Sequence, residues 1–252
     1  MRRDRLDRLL LAAFAVAVAV DLGSLLAGAD LGHRIAKPLL MPLLVAYVAY
    51  LASAAYVESA APNASVAPTS SAAYAGRRGV PRLLIAALLC GWGGDTLLLI
   101  DAEPAFLAGM ASFAAGHICY LVLFARYGTA RAHTSATALA YGIALTGTVA
   151  LLWPDLPADL RVPVAGYSLL LTAMAFRATR LGPAAGIGGA LFLLSDTLIA
   201  TGIAEWPQLP RPDFWIMLTY TAAQLLLARA VLAAVGASRS GAAAYGEGRT
   251  TV

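Results

Sequence analysis

Gly91-Trp92-Gly93-Gly94-Asp95-Thr96-Leu97-Leu98-Leu99-Ile100 lies inside an apolar run that opens near Leu83, and no Lys or Arg occurs between Arg82 and Arg126. A carboxylate in such a run falls below a membrane surface, where an ionised side chain costs ~2.5–3.5 kcal/mol on insertion scales. Three glycines and a tryptophan stand directly before it. Glycine lets a neighbouring helix come close, so Asp95 is expected to face other helices. A second stretch, Leu193-Leu194-Ser195-Asp196-Thr197-Leu198, repeats the Asp-Thr-Leu pattern deep in another apolar run. An intramembrane carboxylate is a functional candidate by default. The rest of the chain reads as the scaffold of a paired-acid site.

Composition agrees. Of 252 residues 60% are apolar and 13% charged, with a mean hydropathy of +0.74, whereas a soluble domain carries about 25% charged residues. The fold expected is all-α: a polytopic integral membrane helix bundle forming one transmembrane domain over residues 1–252. A span needs about 20 mostly apolar residues. Eight spans follow, at about 9–28, 38–57, 83–100, 105–124, 137–153, 162–178, 186–203 and 214–235. With the amino terminus inside, fourteen Arg fall on the cytoplasmic side (2, 3, 5, 8, 77, 78, 82, 126, 131, 177, 180, 229, 239 and 249). Only Arg34, Lys37, Arg161 and Arg211 fall outside. That bias places both termini in the cytoplasm, and Trp153, Trp206 and Trp215 at the outer boundary make an aromatic belt. Residues 59–80, rich in Ala, Ser and Pro, read as a flexible cytoplasmic loop, and 238–252 as a flexible tail. The first span, with its Arg-rich lead and Leu26-Ala27-Gly28-Ala29, also resembles a signal peptide. Cleavage would leave seven spans. Asp21 is expected at the interface.

The basic residues, net charge +4, fringe helix ends and form no nucleic-acid patch. Cys90 and Cys119 both fall in spans and read as small packing residues. The Arg- and Ala-rich composition is that of a GC-rich bacterial genome, which makes the plasma membrane the expected location.

Phe106, Gly109, Phe113, His117 and Tyr120 are three or four apart and share one face of the fourth span. Tyr167 in the sixth span, and Tyr220 with Gln224 in the eighth, add polar groups. Each has a structural alternative: a membrane histidine or glutamine often only cross-links helices, and a tyrosine packs with its hydroxyl satisfied. Thr96 and Thr197 read as back-bonding residues rather than nucleophiles. Asp95 and Asp196 both lie at or outside the middle of outward-running spans, at similar depth, roughly 8–13 Å below the outer boundary at 1.5 Å per residue.

Five separated signatures in order resemble the YhhN-like membrane family, which includes the lysoplasmalogenases. They are Lys37-Pro38-Leu39, Gly94-Asp95 before leucines, the Phe106-to-Tyr120 stripe, Gly189-Ala190-Leu191-Phe192 with Ser195-Asp196, and Tyr220 with Gln224. The resemblance implies hydrolysis of the vinyl-ether bond of a lysoplasmalogen to a fatty aldehyde and glycerophosphoethanolamine or glycerophosphocholine. It also implies that Asp95 and Asp196 are the functional acids. Such a bond is cleaved by protonating its outer carbon, giving an oxocarbenium ion of the kind that paired carboxylates handle in glycosidases. Two neighbouring carboxyls titrate in separate steps, so one can hold a proton while its partner is ionised. Asp196 is the favoured donor. Lys37 is a candidate for the lipid phosphate or an interfacial snorkelling residue. His117 and Tyr120 are expected to orient water or an Asp, with Tyr220 and Gln224 in support. The partner is a lipid, and neither cofactor nor metal is expected: zinc wants about three His or carboxylate ligands, and only His117 lies in a span. The rival reading is a small transporter with the two acids as proton relays.

Overall fold

A computed structural model describes residues 3–60, 82–129 and 135–247, and every regular element among them is helical. Eight α-helices follow in order: α1 Arg3–Ala27, α2 Asp30–Ala60, α3 Arg82–Leu97, α4 Glu103–Tyr127, α5 Ser135–Leu152, α6 Arg161–Ala178, α7 Pro183–Ile203 and α8 Pro212–Glu247. A 3-10 turn, Thr179–Leu181, links α6 to α7. Most of the loop expected at 59–80, with Arg77 and Arg78, lies outside the described residues, as do Arg131, His133 and Arg249.

Seven of these helices are long and apolar enough to cross a membrane. The exception is α3, whose 16 residues reach about 24 Å, short of the ~30 Å hydrocarbon core. The chain is a multi-pass membrane protein turned outward: Leu9, Val16, Leu139, Ile143 and Leu169 are each more than half exposed. A water-soluble surface does not carry such a belt of large apolar side chains.

Consecutive helices pack in pairs, α1 on α2, α3 on α4 and α7 on α8. The hub is α8, which touches α1, α2, α3, α4 and α7, whereas α5 sits at the margin against α6 and α7. Small residues set the closest approaches. A Cβ on Gly189 would stand 2.8 Å from Ala175 Cα of α6, while one on Gly188 would stand 3.1 Å from Leu227 of α8. The adjacent pair therefore lets α7 wedge between both neighbours. Gly94 gives its face to the Phe113 ring, whose nearest atom would be 2.4 Å from a Cβ there.

Three boundaries differ from the sequence reading. The last span was expected to end at 235 with a flexible tail from 238, but α8 runs on as helix to Glu247. The second span was expected to open at Pro38, but α2 begins at Asp30 and carries Pro38 and Pro42 inside it. Pro42 has no N–H for the carbonyl four residues back. Trp92 Nε1 of α3 fills that role, donating to Pro38 O at 2.9 Å. The third span was drawn to Ile100, yet α3 ends at Leu97, three residues earlier, and the chain then turns.

Candidate active site

Asp95 stands in the last turn of α3 and is 2% exposed. The Tyr220 hydroxyl of α8 donates to Asp95 Oδ2 at 2.7 Å. Gln224, one helical turn on, donates from Nε2 to the Tyr220 oxygen at 3.3 Å. Tyr120 of α4 in turn donates to Gln224 Oε1 at 2.8 Å. These three bonds all point the same way, so a buried chain of donors ends on the Asp95 carboxyl. Gly91 makes room for it: a Cβ there would meet Gln224 Nε2 and the Tyr220 oxygen, each at 3.0 Å. The glycines before Asp95 thus admit both a ring and a hydrogen-bond chain.

Asp196, on α7, accepts a hydrogen bond from the Tyr167 hydroxyl of α6. Unlike Asp95 it is only partly buried, because it forms part of the wall of a cavity of about 60 Å³. The other walls are mainly apolar, among them Phe106 and Phe113 of α4, Leu145 of α5 and Leu171 of α6. Thr172 also lines the cavity, and its buried hydroxyl has no partner in the structure. The two acids lie within electrostatic reach of each other. Between them runs a row of rings, Tyr167, His117, Phe192 and Tyr220, with successive centroids 5.4, 4.7 and 5.4 Å apart. Of the two acids, Asp196 lines the cavity and Asp95 does not.

The predicted face of α4 holds together. Phe106 and Phe113 line the cavity, while Gly109, His117 and Tyr120 are buried. His117 cross-links nothing, however: it is 1% exposed and neither ring nitrogen has a partner. Thr96 donates back to Trp92 O and Thr197 to Leu193 O, so both are the back-bonding residues expected. Cys90 and Cys119 are free thiols.

Lys37 does not mark a helix start. It is 9% exposed, two turns into α2, with its charge in the field of Asp95. Asp21, expected at the interface, is corrected to a core position, 0% exposed. The tight turn at Gly28, between α1 and α2, brings it against His33, Oδ1 to Nδ1 at 2.8 Å. Its other oxygen has no partner. Asp21 and His33 also act electrostatically on Asp95, so α1 and α2 supply a second polar cluster to the site. The signal for Asp21 was present in the sequence: like Asp95, it is a carboxylate inside an apolar run. Its place near the end of that run hid it. Among the described residues no group of three His, Cys, Asp or Glu is placed to hold a metal ion.

The human protein named lysoplasmalogenase TMEM86B is 38% identical over 154 residues, covering 61% of this chain and 65% of the human one. The pig protein of that name is 38% identical over 153 residues, 61% of this chain and 65% of its own. The rat protein is 37% identical over 160 residues, 61% of this chain and 63% of its own. The chain therefore spans just under two thirds of the length of these curated relatives. No solved structure matches it. The profile of the YhhN family matches residues 32–231, which includes every residue of the Asp95 and Asp196 clusters on α3, α4, α6, α7 and α8. The chain belongs to the YhhN family.

Proposed function

We propose that the protein is a lysoplasmalogen hydrolase of the bacterial plasma membrane, with eight spans and both termini in the cytoplasm. In this reading α3 completes its crossing through the turn at Leu98–Ile100. The observation that carries the proposal is the arrangement of the two acids. They come from separate helices, each is held by a tyrosine hydroxyl, and Asp196, in the wall of an apolar cavity, feels the charge of Asp95. Relatives named lysoplasmalogenase support the substrate class.

The alkenyl chain lies in the apolar cavity, and its vinyl ether meets Asp196. The protonated Asp196 carboxyl gives its proton to the outer alkene carbon. The positive charge left on the ether carbon is stabilised by the neighbouring oxygen and by the Asp95 carboxylate. Water adds to that carbon and loses a proton to the Asp196 carboxylate, restoring the acid for the next cycle. The resulting hemiacetal collapses to a fatty aldehyde and a free glycerol hydroxyl. In sum, one vinyl ether and one water give one aldehyde and one alcohol. Reactions of this kind gain most from fixed charges aimed at the developing cation in a site from which bulk water is kept out.

Division of labour follows from access. Asp196 touches the cavity, so it is the donor. Asp95 is closed off, has the Lys37 ammonium in its field and ends a chain of three donors, so it is the ionised partner. Lys37 then balances charge inside the bundle rather than holding the lipid phosphate. His117, with two unpartnered nitrogens beside Tyr167, is suited to hold the attacking water. The test is purified protein in detergent with a lysoplasmalogen, assayed for aldehyde. Release by the wild type, with strong loss in Asp95→Asn and Asp196→Asn, supports the assignment. No aldehyde from the wild type would reject it.

A further inference from the structure

A second cavity, of about 150 Å³, opens where α1 ends, α2 begins and α8 begins. Its character is opposite to that of the first. Ser24, Asp30, His33, Arg211 and Asp213 give it hydroxyl, imidazole, guanidinium and carboxylate groups. Two details indicate that it is built to keep a guanidinium in place. Gly28 has a φ of +69° and Arg211 one of +56°, a left-handed conformation that costs a non-glycine residue about 1–2 kcal/mol. The Arg211 head then lies across Gly28, where a Cβ would stand 3.3 Å from Nη1. No carboxylate forms an ion pair with Arg211 among the described residues. His33 is fixed through Nδ1 by the buried Asp21, which leaves its Nε2 free for a ligand.

The position of this cavity matters as much as its lining. His33, in the wall of this cavity, and Asp21, bonded to it, both act on Asp95 electrostatically, which puts the polar cavity on the α1 and α2 side of Asp95. The apolar cavity has Asp196 in its wall, on the side of α5 and α6. A lysophospholipid has the same three-part order: apolar chain, cleavable ether, zwitterionic head.

We propose that this polar cavity is the head-group subsite. Arg211 takes the phosphodiester, His33 adds a polar contact to it, and Asp30 and Asp213 face the ammonium of an ethanolamine or choline. A planar guanidinium matches two phosphate oxygens at once. The carboxylates on the same wall disfavour a purely anionic ligand. Lys37 is left to the acid pair. This inference rests on the hydrolase reading for its catalytic test but not for its binding test.

The catalytic test compares a lysoplasmalogen bearing phosphoethanolamine with the corresponding 1-alkenyl-glycerol, which has no phosphate. The wild type should favour the phosphorylated substrate in kcat/KM. Arg211→Ala should lower that preference by ~10-fold or more, as loss of a charge-assisted bond implies, and Arg211→Lys should restore part of it. A preference within about two-fold of wild type in Arg211→Ala would overturn the proposal. If neither substrate yields aldehyde, the hydrolase reading fails while the subsite is still testable. A fluorescent, non-hydrolysable 1-alkyl lysophosphatidylethanolamine is bound to the wild type and displaced with glycerophosphoethanolamine or with inorganic phosphate. Stronger displacement by glycerophosphoethanolamine, lost in Arg211→Ala, supports the head-group site. Equal displacement by inorganic phosphate, or displacement unaffected by Arg211→Ala, overturns it.

Discussion

Replacing Tyr220 by Phe removes one oxygen and keeps the ring, so its consequences follow directly from the bonds that oxygen makes. It donates to Asp95 Oδ2 at 2.7 Å and accepts from Gln224 Nε2 at 3.3 Å. The ring contacts, edge-on to Phe113 at 5.9 Å and to Phe192 at 5.4 Å, are retained. A hydrogen bond to a charged group is worth about 1.5–3 kcal/mol. If Asp95 is ionised when the substrate's cation forms, kcat should fall between about 10-fold and about 150-fold. Tyr120→Phe breaks only the neutral bond to Gln224, two links back, and should cost about 2- to 10-fold. The assay is aldehyde release in detergent, with thermal unfolding measured alongside to separate catalysis from folding. A double-mutant cycle sharpens it. With Asp95→Asn already present, Tyr220→Phe should add little, because its charged partner is gone. Wild-type kcat in Tyr220→Phe, or full additivity with Asp95→Asn, would refute the claim that the donor chain serves Asp95.

Two further predictions concern the scaffold. Gly189→Ala should lower the unfolding temperature, because its Cβ would stand 2.8 Å from Ala175 Cα and overpacking of this kind costs about 1–3 kcal/mol; Gly166→Ala, with open space around it, should not, and equal effects would remove the argument that α7 is wedged. Trp92→Phe should cost about 0.5–1.5 kcal/mol by stranding the Pro38 carbonyl. Pro42→Ala supplies the missing helical N–H, so Trp92→Phe should cost less in that background, and an unchanged cost would show that the indole bond is not what compensates for Pro42.

Much of this was legible in the sequence because hydrocarbon is so restrictive a solvent. Apolar run length and the scarcity of charge expose the helices, and a carboxylate inside a run stands out, so Asp95 and Asp196 could be found before any coordinates. The glycines before Asp95 signalled close helix contact in the same way. What escaped depends on three-dimensional neighbours. Pro38 looked like a helix start because proline ordinarily breaks a helix; only the Trp92 bond, from a residue 54 positions away, shows why α2 continues through it. Asp21 looked interfacial because depth was measured along one helix, whereas its burial depends on α2 folding back through Gly28. Tyr167 was noted only as a polar residue, since no spacing rule joins it to Asp196, 29 positions on. The polar cavity draws on segments near residues 24–33 and 211–214, which no sequence pattern relates.

The central claim is that Asp196 delivers a proton to carbon, and deuterium reports it directly. Hydrolysis in D2O, with the aldehyde trapped in situ by reduction, should place one deuterium on the carbon next to the former carbonyl, and Asp196→Asn should form almost none of this product while retaining its fold. Labelled product formed by Asp196→Asn at the wild-type rate, or aldehyde from the wild type carrying no deuterium at that carbon, would contradict it.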